Sequence, residues 1–261
     1  MHHKARKAVA AVFAIGALSL TACSSGSDSA DDSGLGLVRE GTLTVCSNLP
    51  FQPFEYVNDD GDYAGFDMDL TREIASGMGL DWALQNVGFD GLQSGTVLAA
   101  GQCDLIAAAV TITPEREDKL AFSDPYYDSL QSLLVPAGSS VTSLEDLDGK
   151  KVGVQQGTTG ESYARTNAEG AEVIAYPSDA ELFPALKAGN IDAVLQDLPV
   201  NLDHTDGGKF TIVAKYETDE AYGFAMKKQG SEDLVAAVNA ELAELRESGK
   251  YQEVYDRYFT E

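Results

Sequence analysis

Three short stretches of this chain combine residue types that can hold a small charged molecule. The first is Val110-Thr111-Ile112-Thr113-Pro114-Glu115-Arg116. Thr113 is suited to cap a helix and Pro114 to open it, while Glu115 and Glu117 favour its first turn. Arg116 opposes the helix dipole at that end, so an anion belongs beside it. That anion is either Glu115 or another nearby acid, or a ligand carboxylate gripped by two parallel hydrogen bonds. The second stretch, Val154-Gln155-Gln156-Gly157-Thr158-Thr159-Gly160, reads as a strand end running into a helix, where backbone N–H groups attract anions. It lacks the Gly-Lys-Ser/Thr of a nucleotide P-loop, and a simple capped turn also explains it. The third is Ala193-Val194-Leu195-Gln196-Asp197-Leu198-Pro199, in which Asp197 is either a helix cap or a partner for an ammonium group. Taken together they form a set. Arg116 and backbone amides suit a carboxylate; Asp197, the Thr111 hydroxyl and the Ala109 carbonyl suit an ammonium. The small object that carries both charges on adjacent positions is an α-amino acid zwitterion, which is costly to bury unless each charge is paired.

Such a site needs strands whose carboxyl ends converge, as they do in open α/β sheets. The pattern supplies them. Residues 42–46 read as a strand, and 55–63 as a hairpin turning at Asp60-Gly61. The acids of that turn do not make an EF-hand, because Tyr56 stands at the first loop position. Asp67 is expected to cap a helix running to about Met78, and Asp90 a helix ending near Gly101. Residues 81–87 and 104–110 read as strands, the second of the buried parallel kind. After an extended connection at 131–136 the alternation begins again, with strands at 151–154, 172–175, 191–196 and 210–214 and helices between them. Residues 222–226 are extended, and 233–248 form an amphipathic helix with Leu234, Val238, Leu242 and Leu245 on one face. The expectation is an α/β chain in two lobes. Residues 38–133 and 222–261 form the first and 134–221 the second, with hinges near Leu133–Pro136 and Glu220–Gly223.

Composition narrows the partners. The chain has 261 residues and a formal charge of −24, so the basic footprint of a nucleic-acid binder is missing. Cys23, Cys46 and Cys103 have no zinc-type spacing, and neither a metal nor a cofactor is expected. Lys4, Arg6 and Lys7 precede an apolar run from Ala8 to Leu20, too short to span a bilayer. The run ends Leu20-Thr21-Ala22-Cys23, which resembles a bacterial lipobox. That resemblance implies removal of residues 1–22 as a lipoprotein signal peptide and a diacylglycerol (palmitate-type) anchor on Cys23. Residues 23–37 then read as a flexible polar tether that holds the folded part outside the membrane but close to it.

The whole pattern resembles a bacterial solute-binding protein of the polar amino-acid uptake family (family 3), whose members include histidine-, lysine/arginine/ornithine- and glutamine-binding proteins of ABC importers. The resemblance is carried by Asn48 to Glu55, Gly65 to Leu70, Phe89 to Leu92, Thr111 to Arg116, Phe122 to Tyr127, Gln156 to Thr159 and Asp192 to Asp197. It implies a type II periplasmic-binding-protein fold, two α/β lobes joined by two hinge crossings. It also implies a monomer that closes on a polar amino acid and docks on a permease. Carried over position by position, Arg116 becomes the carboxylate clamp, assisted by Thr111 and the Thr159 backbone, and Asp197 takes the ammonium, joined by Ala109. Asn48, Phe51, Phe89 and Gln155 fall where the family meets the ligand side chain. Binders of cationic amino acids tend to have an aspartate where this chain has Asn48. The amides at 48 and 155 therefore favour a neutral ligand such as glutamine, although Glu55 can restore a preference for cations.

Cys46 and Cys103 sit near the ends of two expected neighbouring strands, about five residues or roughly 16 Å apart. That exceeds disulfide reach, so two buried thiols are expected. A carboxylate-based dehydratase is the rival reading, since the fold alone does not decide function. His204 is the one histidine beyond the leader, in a polar loop, and GxSxG and HExxH motifs are missing. An amino-acid-sensing accessory protein is a further alternative.

Overall fold

The computed structural model describes residues 34–205 and 207–259. The expected signal peptide, Cys23 and most of the tether lie outside the described residues. In chain order the strands are β1 (Thr42–Ser47), β2 (Tyr56–Val57), β3 (Tyr63–Ala64), β4 (Asp81–Asn86), β5 (Leu105–Ile106), β6 (Leu120–Phe122), β7 (Tyr127–Pro136), β8 (Lys151–Gln155), β9 (Glu172–Tyr176), β10 (Ala193–Asp197), β11 (Phe210–Tyr222) and β12 (Ala225–Lys227). The helices are α1 (Phe66–Gly77), α2 (Phe89–Gln93), α3 (Thr96–Ala99), α4 (Pro114–Glu117), α5 (Thr159–Asn167), α6 (Asp179–Lys187), α7 (Leu198–Asp203), α8 (Glu232–Glu247) and α9 (Lys250–Phe259).

Two five-stranded sheets organise these elements, in the orders β4-β1-β5-β12-β6 and β11-β7-β10-β8-β9. In the first, β1 runs parallel to β4 and β5. In the second, β8 runs parallel to β9 and β10. Each sheet has apolar clusters of its own. Leu43, Val45, Phe66, Ile74, Val238 and Leu242 pack in one cluster, and Leu133, Val152, Val154 and Leu195 in another. This is the expected two-lobed α/β architecture.

The chain passes between sheets twice. It leaves the first after Phe122 and enters the second at Tyr127; it leaves the second after Tyr222 and returns at Ala225. Leu133–Pro136 is therefore not the crossing. It lies within β7, where Leu133 and Leu134 pair with β10 and β11 in the body of the second sheet. An unbroken apolar run looks the same whether it connects lobes or crosses a sheet, because burial on both faces removes the alternation.

Other local expectations also shift. Asp67 does not cap α1; Gly65 does, at φ 123°, and a Cβ there would lie 2.1 Å from the Phe54 carbonyl oxygen. The helix expected from Asp90 to Gly101 is split into α2 and α3 at Gly95, whose φ of 74° interrupts it. The expected strand 104–110 is short. Only Leu105–Ile106 pair, and residues 107–110 leave the sheet. By contrast α8 buries Leu234, Val238, Leu242 and Leu245 as its spacing requires. The hairpin forms with Tyr56↔Ala64 and Val57↔Tyr63 in register.

The two cysteines form a disulfide, Cys46–Cys103, with Cα atoms 5.8 Å apart. The expectation of two thiols assumed that Cys103 continued a straight strand. In the structure it precedes β5, in a turn where Gln102 N–H donates to the Val97 carbonyl, and Cys46 lies opposite Ile106. The bent chain brings Cys103 back over β1. The bridge closes a loop of 57 residues. The double substitution Cys46→Ser/Cys103→Ser is expected to lower the unfolding free energy by about 3–4 kcal/mol in urea titrations. An unchanged midpoint would mean the bridge does not form in solution.

Candidate functional site

A cavity lies where the two lobes face each other. All nine residues expected at the site line it, and Glu55, Ala108 and Thr158 complete its wall. From the first lobe, Thr113 caps α4 by accepting from the Arg116 N–H at 3.2 Å, with Pro114 in the first turn. This short helix fixes the direction of Arg116, which is only 6% exposed. Arg116 does not turn to Glu115, which pairs with Lys119 Nζ at 3.3 Å. Its Nη1 donates to the Thr111 carbonyl at 2.8 Å, and its Nη2 reaches the other lobe, donating to the Gly157 carbonyl at 3.1 Å. Phe89 lies beside the guanidinium, 5.5 Å from ring centroid to Cζ. Burial lowers the Arg116 pKa, and the charges of Asp197, Glu220 and Glu115 oppose that shift.

From the second lobe, β8 ends at Gln155 and Thr158 caps α5, accepting from the Glu161 N–H at 3.1 Å. Thr159 Oγ1 lies 3.5 Å from Thr111 Oγ1 across the cleft. Gln156 Nε2 donates to Asp90 Oδ2 at 2.9 Å, also between lobes. Together with Arg116–Gly157 these contacts describe a closed cleft.

Asp197 occupies the N-cap position of α7, but its side chain makes no capping bond. It turns into the cavity instead. Gln131 Nε2 donates to its Oδ1 and the Tyr222 hydroxyl to its Oδ2. Gln131 Nε2 also donates to Glu220 Oε2 at 2.9 Å, so one amide bridges two acids. Burial pushes the Asp197 pKa up, Glu220 adds to the rise, and the bonds from Tyr222 and Gln131 and the charge of Arg116 limit it.

At the other end of the cavity Asn48 Nδ2 donates to the Val87 carbonyl at 2.9 Å, and its Oδ1 accepts from Gln155 Nε2 at 3.0 Å. One hydrogen bond thus links the two amides across the lobes. Gln155 Oε1 remains buried with no hydrogen-bond partner among the described residues. Phe51 is pinned by its N–H to the Glu55 carbonyl at 2.7 Å, which also fixes the Glu55 backbone.

Sequence reasoning did not identify what holds Ala109. This residue has φ 46°, a left-handed conformation that costs a non-glycine residue about 1–2 kcal/mol. Its N–H donates to Asp67 Oδ2 at 2.9 Å, and the Tyr126 hydroxyl donates to the same oxygen at 2.8 Å. Asp67 thus stabilises a strained turn in the cavity wall from below. The only signal in the sequence was an acid near the start of a helix, which reads more simply as a cap. His204 stands apart from the cavity: its Nε2 lies 3.0 Å from Asp179 Oδ2 and its ring stacks on Phe183 at 3.7 Å.

The family profile of bacterial extracellular solute-binding proteins, family 3, matches residues 43–261. The chain belongs to this family. It is 34% identical to the L-cystine-binding protein TcyJ of Escherichia coli K12, over 98% of this chain and 96% of that protein. An ancestral arginine-binding protein bound to glutamine superposes with a TM-score of 0.80 at 36% identity, covering 85% of this chain and all of that one. The ancestral amino acid-binding protein AncCDT-1, described as a precursor of cyclohexadienyl dehydratase, superposes with a TM-score of 0.76 at 32% identity, over 84% of this chain and 96% of that one. The two lobes are those of a type II periplasmic binding protein.

The buried acids make a pH signature. Burial pushes Asp67 up to about 7 from an ordinary value near 4, although its bonds from Ala109 and Tyr126 pull the other way. Between about pH 4 and 7 the folded chain keeps a proton that the unfolded chain has lost. The Asp67 contribution therefore makes stability fall as pH rises through that window, by up to about 1.4 kcal/mol per pH unit. Urea unfolding of the ligand-free protein should show a flatter fall for Asp67→Asn than for the parent; identical pH profiles would contradict the assignment.

Proposed function

We propose that this chain is the extracytoplasmic substrate-binding component of an ABC importer and captures a polar L-amino acid by lobe closure. One observation carries the reading: Arg116 from the first lobe and Asp197 from the second line a single cavity. The guanidinium clamps the carboxylate of the amino acid, aided by Thr111 and the start of α5 at Thr159. Asp197, the Ala109 carbonyl and the Thr111 hydroxyl receive the ammonium. A ligand that touches both lobes binds the closed form better than the open one and shifts the population toward it. The closed shape then docks on the permease, and the solute is released unchanged. Binding to TcyJ and to the ancestral arginine-binding protein is named for L-cystine, arginine and glutamine, which supports an amino acid as the solute here.

Phe51 and Phe89 flank the side chain, and the unpartnered Gln155 Oε1 favours a side chain that ends in an N–H donor. Glutamine meets that need with its amide and matches the neutral Asn48–Gln155 pair. The sequence Leu20 to Cys23 supports delivery as a lipoprotein anchored through Cys23 to the outer face of the cell membrane.

Calorimetry with L-glutamine, L-arginine, L-histidine and L-cystine tests the reading. At least one should bind the parent protein. Arg116→Ala should weaken that ligand about 100-fold or more while the fold persists by circular dichroism, because removing one partner of a desolvated charge pair strands the other. Asp197→Asn should weaken it in the same direction. Parent-like affinity in Arg116→Ala would overturn the site.

A further inference from the structure

The cavity holds one acid that the zwitterion does not use. Glu55 lines it, is 1% exposed, and its Oε2 has no hydrogen-bond partner among the described residues. A buried carboxylate oxygen without a donor is costly. We propose that Glu55 is a further ligand-binding residue, which joins Asp197 across the cleft as a two-carboxylate seat for the ligand's ammonium group. This rests on the amino-acid reading given above.

Acceptor strength supports it. An ammonium has three N–H donors. Asp197, the Ala109 carbonyl and the Thr111 hydroxyl already offer three acceptors, two of them neutral; Glu55 adds a charged one, and a bond between charged groups is stronger than one to a neutral oxygen. The position of Glu55 is built rather than incidental. Its backbone makes two bonds with Phe51, N–H to carbonyl in each direction at 2.7 and 3.2 Å, and Phe51 itself lines the cavity. Charge count supports it too. The charged groups on the wall are Glu55, Asp197 and Arg116, two anions against one cation. The charges of Asp67 and Asp197 act on Glu55, and Gln131 donates to Glu220; the hydroxyls of Tyr126 and Tyr222 bond Asp67 and Asp197 rather than Glu55. Burial first, then the charges of Asp67 and Asp197, push the Glu55 pKa well above the carboxylate range. Without an ammonium in the seat, a proton takes its place.

Protons and ligand therefore compete for the same oxygens. Parent affinity should rise as pH rises above the ordinary carboxylate range, and binding should release protons, read by calorimetry in buffers of different ionisation enthalpy. With the tightest ligand of L-glutamine, L-arginine, L-histidine and L-cystine, Glu55→Gln should weaken binding about 10- to 100-fold at pH 7 and flatten the pH dependence. Glu55→Asp, which keeps the charge but withdraws it, should weaken binding and keep the slope. Weakening without a change in slope would assign Glu55 a packing role and overturn the proposal, as would parent-like affinity in Glu55→Gln or a parent protein that releases no protons. If the parent binds none of the four amino acids, the amino-acid reading itself fails; if it binds and responds to Arg116→Ala but not to Glu55→Gln, only the Glu55 assignment fails.

Discussion

A guanidinium removed from water between two lobes has to be held by both of them. Arg116 donates to Thr111 of its own lobe and to Gly157 of the other, and both acceptors are backbone carbonyls. Carbonyls satisfy the donors without cancelling the charge. The side chain therefore stays poised for an anion while remaining buried. The short helix α4 exists to aim it: four residues, capped by Thr113 and opened by Pro114, suffice to set one side chain.

The opposite charge is handled differently. Asp197 accepts from Gln131 and Tyr222, both within the second sheet, and Gln131 also bonds Glu220. Residues on β7, β10 and β11 thus share one polar network beneath the cleft, next to the point where β7 and β11 leave the sheet. Aromatic packing surrounds the same crossing. Tyr126 stacks on Phe224 at 4.2 Å, and Tyr127 packs against Phe54, Tyr222 and Phe259. Phe259 belongs to α9, which brings its ring against Tyr127 and Phe54 at the crossing. Polar contacts at the cleft and apolar contacts at the crossing divide the work: the former bridge the lobes at the cavity, while the latter pack the connecting segments.

Much of this was legible in the residues themselves. The Thr113-Pro114 start of α4, the Asp-Gly hairpin and the buried face of α8 are local patterns, each complete within a few turns of chain. Helix α9 was not read from the sequence: Tyr251, Tyr255, Tyr258 and Phe259 recur at helical spacing, but no cap announces the segment after Gly249. Arg116, Asp197, Thr111 and Ala109 were read from residue type and position, whereas Asn48, Phe51, Phe89, Gln155 and Thr159 followed from the resemblance to family 3, with Glu55 recognised only as a possible modifier of charge preference.

What only the tertiary structure decided are approaches between distant segments. Asp67 supports Ala109 from 42 residues away, and Cys46 meets Cys103 across 57. The sequence by itself determined which stretches form strands and helices and which side chains are fit to hold opposite charges, because period, cap and charge are written in neighbouring residues. It did not determine where a strand stops pairing, as at Ile106, or how a chain bends after it, as at Ala109. Those depend on the backbone hydrogen bonds and packing available from other segments, and spacing along one chain carries no record of them.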